Sequence, residues 1–214
     1  MGGSLICLNS PSSAGGRATI LQRVQRIGLY GGSFDPVHCG HLLVAQAALE
    51  ELELDRLFFI PAAQSPFKPE SAPAPSEERC RLLRLALAGR ATCEIDLQEL
   101  ERGGTSYTID TLRNYAARFA GAELFYLIGA DHVPTLPKWR DAAELARLAQ
   151  FVVIPRPGQV AVPLPAPFLG QMLEGFPLGV SSSQIRARVK AGQAMAGLVP
   201  DAVAEAIANS KLYL

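Results

Sequence analysis

Five short apolar runs recur along the chain and predict the strands of a sheet. They occupy residues 26–31, 56–61, 92–97, 123–129 and 151–154. Several of these runs carry apolar residues at consecutive positions instead of alternating ones, which is typical of strands buried on both faces. The pattern therefore favours a central sheet that is covered on both sides by helices.

Between the apolar runs, the hydrophobic positions follow the helical repeat. Helices are predicted over residues 39–53, 76–88, 107–119 and 141–149, and near 182–191 and 200–209. Asp141 and Glu144 are spaced as a capping box at the start of 141–149. Residues 155–178 hold six of the 16 prolines and predict an irregular connection.

Strands that alternate with helices indicate right-handed crossovers and a parallel sheet. We therefore predict a doubly wound, Rossmann-like α/β fold. Residues 26–214 are expected to form a single domain, whose last part, 182–214, is a small helical appendage. Residues 1–25 are rich in Gly and Ser and show little periodicity, which predicts a loose N-terminal extension.

Charge and cysteine content limit the classes of partner. The 214 residues include 20 basic and 20 acidic side chains, so the formal net charge is zero. Such a chain has no overall field to attract nucleic acid or a membrane surface, and neither is expected as a partner. The four cysteines form no C-x-x-C pair, which argues against a disulfide framework or a thiolate zinc cluster.

With no apolar run near the roughly 18 residues that span a bilayer and no secretory signal, a cytoplasmic location is expected.

The connection between the first strand and the first helix carries the candidate chemistry. It runs from Gly31 to His41 as GGSFDPVHCGH, at the junction where open α/β sheets bind ligands. Gly31 and Gly32 let backbone amides approach an anion, and the helix start adds N–H groups at the positive end of its dipole. His38 and His41 are three positions apart, so both rings can face the same anion. The pattern predicts a phosphate-binding loop, with Gly40 leaving room between the histidines.

Two alternative interpretations of this loop stay open. In the first, the histidines merely cap the helix and pack against the core. In the second, His38, Cys39 and His41 contribute to a metal site, although the sequence shows none of the further ligands that a tetrahedral site needs. The loop is neither a Walker element nor a G-x-G-x-x-G element, because the residues that define those motifs are missing.

The loop resembles the H-x-G-H signature of the nucleotidyltransferase superfamily, here His38-Cys39-Gly40-His41. A second signature of that family, I-S-S-T-x-I-R, resembles VSSSQIR at residues 180–186, where hydroxyls start a helix and an arginine can fork onto phosphate oxygens. The resemblance implies that His38 and His41 are catalytic. It also implies that ATP and phosphate bind at Gly31, Gly32, Ser33 and Phe34 of the first loop, and at Ser182, Ser183 and Arg186 of the second.

Three further segments resemble bacterial nicotinate mononucleotide adenylyltransferases. Ser106-Tyr107-Thr108 lies in an S-Y-T-x-x-T element at a predicted helix start, where free amides favour a carboxylate over a neutral amide; a plain N-cap is the alternative. Gly129 and Asp131 belong to an I-G-x-D element, and the resemblance implies an aspartate near the nucleotide ribose; a turn cap is the alternative. Trp139 matches the tryptophan that stacks on the nicotinate ring in this family, since a flat aromatic suits a pyridinium; core packing is the alternative.

One segment departs from the family pattern. The family shows P-P-H-K after the second strand, whereas this chain has Ser65-Pro66-Phe67-Lys68. Lys68 can still meet a phosphate as a point charge and is expected among the phosphate-binding residues. Any contact that the family makes through the histidine is lost at Phe67.

The resemblance implies a reaction in NAD biosynthesis. AMP would pass from ATP to nicotinate mononucleotide, giving deamido-NAD and pyrophosphate, with Mg²⁺ carried by the ATP phosphates. Three alternatives remain: the same chemistry on phosphopantetheine, the same chemistry on nicotinamide mononucleotide, and a non-catalytic nucleotide sensor on the same fold. The S-Y-T element and Trp139 argue against phosphopantetheine, and the helix-start amides argue for the acid over the amide.

Overall fold

The computed structural model describes residues 24–64, 73–155, 162–176 and 178–214. Within them, one parallel sheet has the strand order β3-β2-β1-β4-β5-β6. Its strands are β1 (Arg26–Gly32), β2 (Arg56–Pro61), β3 (Cys93–Ile95), β4 (Glu123–Gly129), β5 (Gln150–Ile154) and β6 (Gly170–Met172). From β1 the chain adds β2 and β3 on one side, and it then returns to add β4, β5 and β6 on the other side of β1. This change of side between β1 and β4 creates the switch point where doubly wound sheets bind ligands. The predicted fold class is confirmed.

The predicted helices are all present, with ends within two residues of expectation. The helices are α1 (Cys39–Glu51), α2 (Ser76–Leu87), α3 (Gln98–Arg102), α4 (Thr108–Arg118), α5 (Ala142–Leu148), α6 (Ser182–Lys190) and α7 (Asp201–Ser210). The short α3, the strand β6 and a 3-10 helix over Ala130–Lys138 were not predicted. Each is short or interrupted by proline, as at Pro134 and Pro137, so none carries a clear periodic signal.

Two hydrophobic clusters pack on opposite faces of the sheet and explain the continuously apolar strands. On β2, Leu57 and Phe59 belong to the cluster that includes α1, α2, α6 and α7. Phe58 and Ile60 belong to the cluster that includes α4 and α5. Each fully buried side chain of this size contributes about 1.5–3 kcal/mol. Helices thus pack on both faces of the sheet, and a ligand can bind at the carboxyl ends of β1 and β4.

The capping box predicted at the start of α5 is wrong. Asp141 has a φ of +53°, and its side chain makes no capping hydrogen bond. Arg113 of α4 donates instead to both carboxylates, at 3.0 Å from Asp141 Oδ2 and also to Glu144. These ion pairs tie the start of α5 to α4.

Two further predictions concern the N-terminal extension and the location of the protein. The N-terminal extension lies, up to residue 23, outside the described residues. No helix in the described part of the chain combines the length and the apolar character needed to cross a membrane.

Candidate active site

The glycines that end β1 are required by close packing. A Cβ atom at Gly31 would lie 2.8 Å from the hydroxyl oxygen of Tyr126 on β4, and one at Gly32 would lie 3.1 Å from the Phe34 ring. Neither position therefore accommodates a side chain without a shift of its neighbours. Ser33 follows with an exposed side chain. The first three predicted loop residues thus present backbone and a hydroxyl at the switch point.

His38 and His41 form a reciprocal cap at the start of α1. The His41 N–H donates to His38 Nδ1 at 3.3 Å, and the His38 N–H donates to His41 Nδ1 at 3.1 Å. A neutral imidazole whose Nδ1 accepts a hydrogen bond carries its proton on Nε2. Both rings therefore have a fixed tautomer, with Nε2–H as the donor that remains for a ligand.

Gly40 leaves room for this arrangement, as predicted. A Cβ atom there would lie 3.0 Å from His38 Nδ1 and 3.0 Å from a methyl carbon of Val180. A side chain would therefore disturb the cap and also separate the loop from the segment that precedes α6.

Both histidines are neutral at physiological pH. His38 is 6% exposed, and burial lowers its pKa to about 4. Burial also lowers the pKa of His41, and the neighbouring His38 lowers it further. The two rings stack with their centres 3.7 Å apart, so two positive charges would repel strongly. The histidines do cap the helix, and the same two hydrogen bonds orient their Nε2 atoms.

Phe34 supports the pair from inside the core. Its ring is 1% exposed and packs edge-on against His41, with ring centres 5.1 Å apart. The Phe34 side chain therefore cannot reach a ligand, although the resemblance implies that Phe34 belongs to the phosphate-binding residues. Only its backbone is available, and its φ of +46° is unusual for a residue other than glycine.

The second predicted signature packs directly on the first. Ser182 Oγ donates to the Pro36 carbonyl at 2.9 Å, and Arg186 Nη1 donates to the Asp35 carbonyl at 2.7 Å. Ser183 is exposed beside Arg186, with its Oγ 3.5 Å from Nη2. The structure therefore brings both predicted phosphate segments together, although the Ser182 hydroxyl is engaged by the loop itself.

The start of α4 carries three further residues that were predicted for the site. The helix begins at Thr108, with Tyr107 at the N-cap position, and within the described residues the Tyr107 side chain makes no capping bond. Ser106 is buried, and its Oγ accepts the Ala63 N–H at 3.1 Å. The alternative in which Ser106 is a plain N-cap is therefore wrong. Thr108 Oγ1 lies 3.3 Å from the Tyr126 hydroxyl, which connects this region to Gly31.

Trp139 packs on the same face of the sheet as α4. Its indole N–H donates to Thr135 Oγ1 at 3.1 Å, and its partly buried ring packs against the cluster on that face of the sheet. The next residue, Arg140, has its guanidinium 4.9 Å from the centre of the Tyr107 ring and 3.8 Å from Asp110. The side chain of Arg140 therefore reaches the start of α4, and core packing accounts for part of the burial of the Trp139 ring.

Gly129, Asp131 and Lys68 are the predicted site residues that remain. Gly129 ends β4 next to β1, and Asp131 is exposed at the start of the 3-10 helix. Lys68 and Phe67 lie outside the described residues.

The metal interpretation of the loop finds no support in the geometry. No three His, Cys, Asp or Glu side chains among the described residues are grouped closely enough to hold a metal ion. Both Nδ1 atoms already accept backbone hydrogen bonds. Burial raises the pKa of the Cys39 thiol, which disfavours the thiolate that a metal needs.

Sequence reasoning missed four residues that build the site. Asp35, Arg79 and Tyr213 form a polar cluster behind the loop, in which Asp35 and Arg79 are buried, and Tyr126 lies at the switch point. Each makes its contact with a residue distant in sequence, so no local pattern identifies it. One available signal was the polar Asp35 inside the Gly31–His41 segment.

Comparison with known proteins agrees with this geometry. A family model described as Cytidylyltransferase-like matches residues 29–188. Relatives named as probable nicotinate-nucleotide adenylyltransferases include one from Opitutus terrae, 42% identical over 191 residues, covering 88% of this chain and 97% of the relative. Another, from Geobacillus kaustophilus, is 42% identical over 188 residues, covering 88% of this chain and 86% of the relative.

A solved structure shares the fold at low sequence identity. The nicotinic acid mononucleotide adenylyltransferase of Plasmodium falciparum, complexed with NaAD, superposes with a TM-score of 0.71 at 17% identity. The match covers 88% of this chain and 97% of that one. With the interlocked histidines at the switch point and relatives of this identity along most of its length, the chain belongs to the nicotinate-nucleotide adenylyltransferase family.

Proposed function

We propose that this protein transfers the adenylyl group of ATP to nicotinate mononucleotide, giving deamido-NAD and pyrophosphate for NAD biosynthesis. The observation that carries the proposal is the interlocked pair of His38 and His41 at the switch point of the sheet. Relatives that are 42% identical bear the name of this activity. The catalytic unit is the proposed single domain, residues 26–214.

The reaction needs no general base on the protein. A phosphate oxygen of nicotinate mononucleotide, already anionic, attacks the α-phosphorus of ATP, and the bond from that phosphorus to the bridging oxygen breaks as pyrophosphate leaves. The demand on the protein is therefore to align the two phosphates and to stabilise the charge that develops on their oxygens.

His38 and His41 meet that demand as neutral donors. Their Nε2–H groups are preset by the reciprocal cap, so no reorganisation is needed when negative charge develops. A positioned donor of this kind commonly contributes about 10²–10³ in rate. The amides of Gly31, Gly32 and Ser33 and the exposed part of the Arg186 guanidinium complete the phosphate site, together with the Phe34 amide.

The remaining phosphate contacts come from Ser182, Ser183 and Lys68. Ser182 acts mainly by fixing the loop, because its hydroxyl already binds the Pro36 carbonyl. Ser183 is exposed, and its hydroxyl can donate a hydrogen bond to a phosphate oxygen. Lys68 would add a point charge. Gly129 and Asp131 would receive the nucleotide, with the aspartate near the ribose.

The start of α4 and Trp139 would bind the nicotinate nucleotide. The amides at Tyr107 and Thr108 lie at the positive end of the helix dipole, which favours a carboxylate by about 0.3–1 kcal/mol at an exposed site. The buried Ser106 holds this turn in place through Ala63. The Trp139 ring would stack on the pyridinium and add about 1–2 kcal/mol more.

Magnesium would enter with ATP. The triphosphate supplies the oxygen ligands that Mg²⁺ prefers, and we assign it no protein ligand. When bound, the ion supplies neutralisation of phosphate charge.

The test is pyrophosphate release from ATP and Mg²⁺ with three acceptors measured in parallel. Turnover on nicotinate mononucleotide, at least severalfold above its amide analogue and with phosphopantetheine inactive, is the expected result. Comparable turnover on the amide would remove selectivity from the α4 region. Turnover on phosphopantetheine alone, or ATP binding without any turnover, would contradict the proposal.

A further inference from the structure

Asp35 is an unexpected residue in a loop that binds polyphosphate, because its carboxylate would repel the ligand. The structure turns this carboxylate away from the surface: Asp35 is 6% exposed. Its Oδ1 accepts the Tyr213 hydroxyl at 2.7 Å and the Ala74 N–H at 3.3 Å. Asp35 is therefore occupied by the protein and not by substrate.

The same residue holds Arg186. Arg186 Nη1 donates to the Asp35 carbonyl at 2.7 Å and lies 3.6 Å from its Oδ2. A guanidinium carries five N–H donors in a fixed plane, so anchoring one terminal nitrogen sets the direction of the rest. About a third of the Arg186 side chain is exposed, and this part can reach a phosphate.

A second arginine balances the charge of Asp35. Arg79 is only 2% exposed; its Nη1 donates to the Ser33 carbonyl at 2.7 Å and its Nε to the Ala74 carbonyl at 3.0 Å. It also attracts Asp35 electrostatically. When phosphate engages Arg186, Arg79 continues to neutralise the buried carboxylate, as a buried charge requires.

Tyr213 approaches Asp35 from the end of the chain. Lys211 and Tyr213 have φ values of +54° and +72°, a left-handed conformation that costs such residues about 1 kcal/mol or more each. Contacts made by the tail must outweigh that cost. Burial and the nearby Asp35 charge raise the Tyr213 pKa, so its hydroxyl stays protonated and donates.

We propose that Tyr213 and Asp35 are positioning residues for Arg186: Tyr213 fixes the buried Asp35 side chain, and the carbonyl and carboxylate of Asp35 together orient the guanidinium that meets ATP phosphate. The inference rests on the proposed function, because it concerns the same phosphate site. It gives the last residues of the chain a role in ATP affinity, about 30 positions after the second signature.

The protein contains a matched control on the opposite face of its sheet. Tyr115 donates to Asp96 at 2.6 Å, and Arg118 lies 3.1 Å from the same carboxylate. This is also a Tyr–Asp–Arg cluster, and it lies away from the phosphate loop. Removing either tyrosine hydroxyl deletes one hydrogen bond to a charged group, so both changes should lower stability to a comparable extent.

The experiment compares Tyr213→Phe with Tyr115→Phe in the full chain. We expect Tyr213→Phe to weaken ATP binding, measured by calorimetry and as KM for ATP, by about fivefold to tenfold, with a smaller change in kcat. Tyr115→Phe should leave both constants within about twofold. Equal ATP affinity in the two variants would overturn the proposal, and calorimetry gives this answer even if the unaltered protein shows no turnover.

A double-mutant cycle tests whether Tyr213 acts through Arg186. In an Arg186→Ala background, Tyr213→Phe should change ATP affinity by less than about twofold. The same fivefold to tenfold loss in both backgrounds would overturn the proposal, because it would show an effect independent of Arg186. Absence of turnover in the unaltered protein, with this coupling intact, would count against the proposed reaction alone.

Discussion

The two halves of the candidate site are built in different ways. At the phosphate half, the two histidines are three positions apart, bind each other's backbone, and are further fixed by α6. At the nicotinate half, the start of α4 and Trp139 lie about 30 positions apart, and exposed ion pairs of Arg140 and Arg113 join α4 to the segment that follows Trp139. The histidine pair of the first half is neutral and largely buried, whereas the second half is held by exposed, charged side chains.

This difference suggests a division of labour. Charge that develops during phosphoryl transfer is best stabilised by donors that are already fixed in place. Recognition of one acceptor over another needs only a small difference in binding energy, which exposed contacts can provide. We therefore assign the rate to the phosphate half and the choice of acceptor to the nicotinate half.

The largest expected effect separates the chemical role of His41 from its capping role. Asn can place an oxygen near the position of Nδ1 but has no donor in place of Nε2. Both His41→Asn and His41→Ala should lower kcat by about 10²–10³, while only His41→Ala should lose the cap, worth about 1 kcal/mol. Steady-state rates and thermal unfolding of both variants check this. Near-full turnover of His41→Asn would show that the cap alone matters.

The second prediction concerns stability against pH. Because burial lowers the folded-state pKa of His38 to about 4, the unfolded chain takes up a proton first as pH falls. This contribution to stability is complete above about pH 6.5 and is lost toward pH 4, by roughly 3 kcal/mol. In His38→Asn, which keeps a capping oxygen, the free energy of unfolding should fall less over this range.

Denaturant unfolding at several pH values measures that difference. Carboxylates titrate in both proteins, so the comparison of His38→Asn with the unaltered chain removes their contribution and leaves that of the stacked histidine pair. Equal pH slopes in the two proteins would show that His38 is not held neutral by burial.

The third prediction addresses the nicotinate half. Trp139→Ala should raise KM for nicotinate mononucleotide by about tenfold through loss of stacking, with kcat much less affected. Trp139→Phe retains a flat ring and should recover part of the affinity. Phe176→Ala, which alters an exposed ring outside the site, serves as the control. A purely structural Trp139 would lower stability without changing KM.

The smallest effect is expected at the ion pairs that join α4 to α5. Arg113→Gln should raise KM for nicotinate mononucleotide by about twofold to threefold, because exposed pairs contribute only about 0.2–1 kcal/mol. Arg26→Gln breaks a comparable pair with Glu123 at the far end of the sheet and should leave KM unchanged. An equal shift in both variants would mean that Arg113 does not position the Trp139 segment.

The same contrast explains what the sequence could predict. The apolar strands, the helices and the His38–His41 loop follow from local periodicity and spacing, and the structure contains all of them. The capping box at Asp141 failed because Arg113, 28 positions away, attracts its carboxylate. Burial of the Phe34 ring, engagement of Ser182 and the Asp35–Tyr213 contact likewise depend on tertiary packing that local patterns do not encode. Strand β6 lies at the edge of the sheet in a proline-rich segment, and it is too short to give a periodic signal.

The most direct test of the division of labour is the KM for nicotinate mononucleotide in His41→Asn at saturating ATP and Mg²⁺. If the phosphate half supplies only the rate, kcat falls by about 10²–10³ while this KM stays within about twofold of that of the unaltered protein. A KM that rises by as much as kcat falls would show that His41 also holds the acceptor, and the two halves would not be separable.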